Sequence, residues 1–217
     1  ASQENLFQKL VPDFMFKSIE DLDLNQITDS YHLIGPGLGQ SSQTKELVQK
    51  IINLNKPIII DADALNIIGA ENMLDMIPEN SVITPHIKEF DRLFGQSDNF
   101  SQRIIKAQQF SSRKGIFIVL KNFRTFIFAP NGDIFINSTG APSLAKGGSG
   151  DVLAGCILGL INQNMSPLNA LKLAVYTHGK ASENLLKKWG DYGMKQIELC
   201  DEIGLVLKDI SDGYERI

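Results

Sequence analysis

Short apolar runs alternate along this chain with longer amphipathic ones, and that alternation restricts the folds open to it. Tyr31 to Ile34, Pro57 to Asp61, Ser81 to Thr84 and Ile116 to Leu120 have strand length and composition, as does Phe14 to Ile19. Between them, Gln43 to Leu54 sets Leu47, Val48, Ile51 and Ile52 at helical spacing. Helices are also expected near Ala64 to Gly69, through Met73 to Ile77, over His86 to Phe94 with Ile87, Phe90 and Leu93-Phe94 on one face, and over Ile104 to Lys114. Thr125 to Phe128 and Ile134 to Ile136 flank Asn131-Gly132, a strong hairpin signal. Beyond Gly150 the pattern is helical: Asp151 to Asn162, Pro167 to Trp189 and Lys195 to Ile210. Strand–helix repetition buries its apolar faces by forming a mostly parallel sheet with helices on both sides. The hairpin adds an antiparallel edge. In open α/β sheets, ligands bind beyond the carboxyl ends of the strands.

With 217 residues, 43% of them hydrophobic, residues 1–217 suffice for one domain around one sizeable core. A net charge of -4 without a Lys/Arg cluster argues against nucleic-acid binding. The apolar runs are strand-length, far short of the ~20 residues that span a bilayer. Ala1 to Lys9 lacks the pattern of a signal peptide, and Glu4 to Gln8 reads as native helix. Cys156 and Cys200 are too few and too far apart for a disulfide framework or a zinc site, which fits a reduced, cytoplasmic protein. His32, His86 and His178 form no metal-ligand pattern.

The most specific motif is Lys146-Gly147-Gly148-Ser149-Gly150-Asp151, a glycine-dense turn opening into the apolar helix Val152-Leu153-Ala154. Glycines let backbone amides approach an oxyanion closely, and the unpaired amides with the helix dipole make an anion site. Asp151 at this helix start is either a simple cap or, with phosphate in the cradle, the group that takes a proton from an attacking hydroxyl. A cap alone does not require so many glycines ahead of it. The segment lacks the Gly-Lys-Ser/Thr ending of a P-loop, and no strand–GxGxxG–helix unit opens the chain.

Other motifs follow strands. Gly35-Pro36-Gly37-Leu38-Gly39 is a tight turn whose glycines admit close approach. In Asp61-Ala62-Asp63-Ala64-Leu65-Asn66, a carboxylate either caps the next helix or touches substrate or hydrated magnesium. In Thr84-Pro85-His86-Ile87-Lys88-Glu89-Phe90, His86 and Glu89 lie three apart and should share a helix face, while Lys88 points to solvent. Lys121 to Thr125 reads as a polar hairpin connection, with Lys121 and Thr125 open to a nucleotide contact. His178, mid-helix between Ala174 and Ala181, reads as a packed core histidine.

The ordered set of these segments, with Asn137, Thr139-Gly140 and His178-Gly179 added, resembles the ADP/ATP-dependent NAD(P)H-hydrate dehydratase family of the ribokinase-like superfamily. The resemblance runs from about residue 14 to 190. It implies a ribokinase-like three-layer α/β sandwich and a repair enzyme that removes water from (6S)-hydrated NADH or NADPH. The hydrate's hydroxyl is phosphorylated at the expense of ADP or ATP, then phosphate leaves. Asp151 would activate the hydroxyl, and the amides of Gly148, Ser149 and Gly150 would hold the charge on the phosphoryl group. Lys121, Asn122, Phe123, Arg124, Thr125 and Gly150 would contact the nucleotide. Gly37, Gly39, His86 and Asp151 would contact the hydrated dinucleotide, and Glu89 would order Mg2+ through water. The resemblance also implies a homotetramer and, in many relatives, an upstream epimerase domain.

The sequence departs from the family pattern at Lys88, Asn122, Ala141 and Leu144. The strand, glycine loop and alanine-rich helix that normally open the domain have no counterpart before Phe14. The chain therefore reads as a fragment of a longer domain or polypeptide, with poor stability expected alone. A vitamin-precursor kinase of the same superfamily is the runner-up reading, and a non-catalytic nucleotide-binding remnant the third.

Overall fold

The structure, a computed structural model, describes Ser18 and residues 21–24 and 30–214. The expected helix over 4–8 lies outside these residues, as does the expected strand over 14–19 apart from Ser18. A six-stranded sheet runs in chain order: β1 (His32–Ile34), β2 (Ile58–Ile60), β3 (Val82–Ile83), β4 (Phe117–Leu120), β5 (Phe126–Phe128) and β6 (Ile134–Ile136). Strands β1 to β4 are parallel, and β5 and β6 fold back antiparallel. The turn between β5 and β6 is closed by Gly132 N–H to the Ala129 carbonyl at 2.9 Å, where the Asn131-Gly132 signal puts it.

Strand period decides the layers. In β2, Ile58 and Ile60 join one core cluster and Ile59 the other, and all are buried. The first cluster takes Val48, Ile51 and Ile52 from α1 (Ser42–Asn53), Leu65 and Ile68 from α2 (Ala62–Ala70), Phe90 from α3 (Ile87–Phe94), and Phe110 from α4 (Phe100–Lys114). The second takes Leu153 and Ile157 from α5 (Ser149–Ile161) and Ala170, Leu171 and Ala174 from α6 (Pro167–Gly193). The result is a helix–sheet–helix sandwich. A third cluster joins the far half of α6 to α7 (Gln196–Tyr214) through Leu185, Met194, Leu199 and Val206. Among the described residues, no helix is long and apolar enough to cross a membrane.

Several expected bounds shift. The helix expected over Met73 to Ile77 is only a 3-10 turn, Leu74–Met76, squeezed between positive-φ Asn72 and Pro78. Helix α4 starts earlier than Ile104 because Asn99 caps it, accepting from Gln102 N–H at 3.0 Å. Helix α6 continues past Trp189 through a non-helical Gly190.

The parallel strands end together at one edge of the sheet. Gly35 follows β1, Asp61 follows β2, Pro85-His86 follows β3, and Lys121 follows β4. Gly35 takes φ 126°, and a Cβ there would overlap the Asp61 carbonyl oxygen. The close approach that this glycine admits is thus that of the neighbouring strand's end.

Candidate active site

A cavity of about 760 Å³ opens at this carboxyl edge, between the strand ends and the first turn of α5. Its lining brings together Asp61, His86, Glu89, Lys121 and Gly148 to Asp151, segments up to 90 residues apart in sequence. Asn122, Phe123 and Thr125 also line it. Arg124 does not: its guanidinium donates to the Ser138 carbonyl and sits over the Phe123 ring. Gly37 and Gly39 also lie off the lining, and Gly39 N–H donates to the Asp63 carboxylate at 2.8 Å.

Gly148 is the N-cap of α5 at φ 88°, a left-handed conformation in which a side chain is strained. The first i to i+4 bond of the helix runs from Val152 N–H to the Gly148 carbonyl. The amides of residues 149–151 therefore lack intrahelical acceptors. Ser149 N–H turns back to the Lys146 carbonyl at 3.3 Å. Two contacts invisible in the sequence brace this turn. Gln196 Nε2 donates to the Gly147 carbonyl at 2.7 Å, and Lys146 Nζ donates to the Met194 carbonyl at 2.9 Å. Residues 137–141 are fastened along α6 in the same way. Thr139 Oγ1 donates to the Tyr176 carbonyl, Gly140 N–H to Glu183 and Ala141 N–H to Ser182 Oγ, each at 3.0 Å.

Asp151 stands exposed in the first turn of α5, and the helix has no side-chain cap bond. Desolvation raises its carboxyl above the usual carboxylate range. The charge of Asp61 adds to the rise, and Lys121 opposes it. Asp61 is almost fully buried at the N-cap position of α2, yet makes no cap bond. Its Oδ1 accepts instead from Lys121 Nζ at 2.7 Å, so of the readings open for this carboxylate the cap is excluded.

His86 is the N-cap of α3 rather than a residue on its face. Its Nδ1 accepts from Glu89 N–H at 3.1 Å, while Glu89 Oε2 accepts from His86 N–H at 2.8 Å. Glu89 is buried and its Oε2 is committed to this box.

His178 is buried beneath the glycine turn, with Nε2 2.9 Å from the Ser149 carbonyl. Burial pushes its pKa from 6.5 down to about 4, against the smaller raising effect of that hydrogen bond. The neutral ring thus donates Nε2–H to Ser149 and holds the helix start. Between pH 6.5 and about 4, the unfolded chain binds a proton at His178 that the folded chain refuses. This contribution to stability is complete above pH 6.5 and lost as pH falls towards 4, on the order of 3 kcal/mol. Urea unfolding at pH 7 and 4.5 should show a smaller acid loss for His178→Gln than for the wild type. Equal losses would count against this assignment.

The sheet order, the two helical layers and the glycine-tipped helix over the strand ends define a ribokinase-like α/β protein. A ribokinase-like superfamily protein from Enterococcus faecalis V583 aligns with a TM-score of 0.72 and 30% identity, over 83% of this chain and 63% of that one. The sequence profile described as NAD(P)H-hydrate dehydratase matches residues 2–204, and the chain belongs to that family. An ADP/ATP-dependent NAD(P)H-hydrate dehydratase from Bacillus subtilis, crystallised with ATP and Mg2+ and soaked with CoA, aligns with a TM-score of 0.79. Its identity is 30%, over 95% of this chain and 78% of that one. The bifunctional NAD(P)H-hydrate repair enzyme of Moorella thermoacetica is 35% identical over 190 residues, 85% of this chain. The chain spans 36% of that enzyme's length.

Proposed function

We propose that this chain carries a nucleotide-dependent dehydratase site that returns hydrated NADH and NADPH to the reduced dinucleotides. The observation that carries the reading is Asp151: a carboxylate of raised proton affinity, the third residue of a glycine-tipped helix, in a large cavity of a chain from this family. Asp151 accepts the proton of the hydrate's hydroxyl as that oxygen forms its bond to phosphorus and the bond to the departing nucleotide breaks. The amides of Gly148, Ser149 and Gly150 and the positive end of α5 hold the charge on the phosphoryl oxygens. Ser149 N–H leaves the Lys146 carbonyl to do so. The C–O bond then breaks, its electron pair leaving with phosphate, a proton is lost from the adjacent ring carbon to water or the departing phosphate, and the double bond of the dihydronicotinamide is restored.

Lys121, Asn122, Phe123 and Thr125 form the nucleotide side of the cavity, with Arg124 supporting Phe123 from behind. His86 meets the hydrated dinucleotide at the strand ends. Gly37 and Gly39 extend that surface beyond the cavity.

No group of three or more His, Cys, Asp or Glu able to cage a metal exists among the described residues. That suits Mg2+, which keeps most of its waters and binds chiefly through substrate phosphates. Glu89, its Oε2 already taken by the capping box, would hold it through water, and the ion would offset phosphate charge during transfer.

The test supplies the S and R hydrates of NADH separately, each with ADP or ATP and Mg2+, and follows the near-ultraviolet absorbance of NADH. Recovery with the S epimer is expected, and the faster nucleotide identifies the phosphoryl donor. A stable phosphorylated product without recovered absorbance would point to a kinase instead. Nucleotide binding with no product would mark a non-catalytic site.

A further inference from the structure

The mechanism above gives Lys121 to the nucleotide side of the cavity but leaves its ion pair with Asp61 unused. Asp61 and Lys121 follow β2 and β4, the strands on either side of β3, and meet above it. Neither is placed by chance. Asp61 N–H donates to the Ile34 carbonyl at 3.1 Å, and Ala62 behind it takes a left-handed φ of 49°, a strained conformation for a non-glycine residue. Lys121 N–H donates to the Pro85 carbonyl at 2.8 Å, and its backbone bridges to His86. The ion pair they form, 2.7 Å long, lies over Gly150. Lys121 Nζ is 3.2 Å, and Asp61 Oδ2 3.9 Å, from where a Cβ on Gly150 would stand. Both charges therefore stand beside the residue that precedes Asp151, and all three side chains line one cavity.

We propose that Asp61 and Lys121 are a positioning pair for Asp151, the buried carboxylate and its ammonium partner acting with opposite sign on the base that shares their cavity. The proposal rests on the reading of Asp151 as the proton acceptor. A bare lysine at this place would make Asp151 a weaker base, and a bare aspartate a stronger one. Held together, the two oppose each other at Asp151, whose proton affinity is raised chiefly by burial.

The other charged or titratable groups facing this turn are already engaged. From α3 come His86 and Glu89, tied to each other in the capping box. From α6 comes His178, neutral and bonded to the Ser149 carbonyl. Lys146 is bound to the Met194 carbonyl. From the start of α7 comes the neutral Gln196. Burial is the largest cause of the raised proton affinity of Asp151; on top of it Asp61 and Lys121 act with opposite signs, Asp61 raising that affinity and Lys121 lowering it.

The opposed signs make the test. In protein carrying ¹³C at the aspartate carboxyls, the Asp151 resonance is identified by its absence from Asp151→Asn and titrated in each variant. Asp61→Asn should move the midpoint to lower pH, because repulsion is lost and Lys121 is freed. Lys121→Gln should move it to higher pH, and Lys121→Arg, which keeps the charge, should stay close to wild type. Each variant tests a sign by itself, so one that fails to fold leaves the other decisive. Midpoints that coincide with wild type, or that move in the same direction, overturn the proposal. A merely structural role for the pair predicts no opposed movement. The titration needs no substrate. A chain that fails to repair hydrated NADH would refute the dehydratase reading while leaving this measurement intact.

Discussion

Asp151→Asn should lower the turnover of hydrated NADH by about 10²–10⁴-fold, the contribution of a positioned general base. The substitution keeps the size and shape of the side chain and removes its charge and, with it, its ability to accept a proton. Stability should scarcely change. Asp151 is exposed and α5 has no side-chain cap bond to lose. The favourable effect of a carboxylate near a helix N-terminus is only ~0.3–1 kcal/mol, and removing the repulsion from Asp61 works against that loss. Nucleotide affinity should also hold, because the amide cradle remains. In the wild type, activity should fall on the acid side as Asp151 takes up its proton. Because its proton affinity is raised, that fall should begin at higher pH than for an ordinary carboxylate. Steady-state rates across pH, with urea unfolding of both proteins, check all of this. A variant with more than a tenth of wild-type turnover would remove Asp151 from the role of base.

The layers and the sheet were readable because burial on both faces leaves a plain mark. Runs such as Ile58-Ile59-Ile60 can be satisfied only in a covered parallel strand, and Asn131-Gly132 fixes the hairpin by its own backbone preference. The helix start at Gly148 was readable for the same reason, since glycine density reports backbone conformation directly. What the sequence withheld was partnership. Asp61 at a strand end looks like any helix cap, and only the fold reveals Lys121, 60 residues on, in place of the cap bond. His86 and Glu89 were expected on one helix face, but the helix begins one residue later and turns them into a reciprocal cap. Gln196 carries no signal at all: an amide on a distant helix reaches the Gly147 carbonyl because α7 folds back along α6. Such contacts depend on how elements pack, which local periodicity does not encode.

Lys121→Met should destabilise the protein by about 3–5 kcal/mol, the usual cost of stripping one partner from a buried ion pair. Position decides the magnitude. The Asp61 side chain is 1% exposed and that of Lys121 20%, so water cannot replace the lost ammonium. The pairs Lys45–Glu71 and Arg113–Asp75 have side chains 42–72% exposed, and breaking either should cost no more than ~1 kcal/mol. Methionine keeps most of the length of the lysine stem, so the loss reflects charge rather than packing. The cost is that of leaving the carboxylate buried and unmatched, not the worth of the pair itself. Removing both charges should therefore recover much of it: Asp61→Asn with Lys121→Met should be more stable than Lys121→Met alone. Urea midpoints at an unchanged m-value provide the measure. A Lys121→Met loss below ~1 kcal/mol, in the range of surface pairs, would mean that water reaches Asp61 and that the pair is not buried in solution.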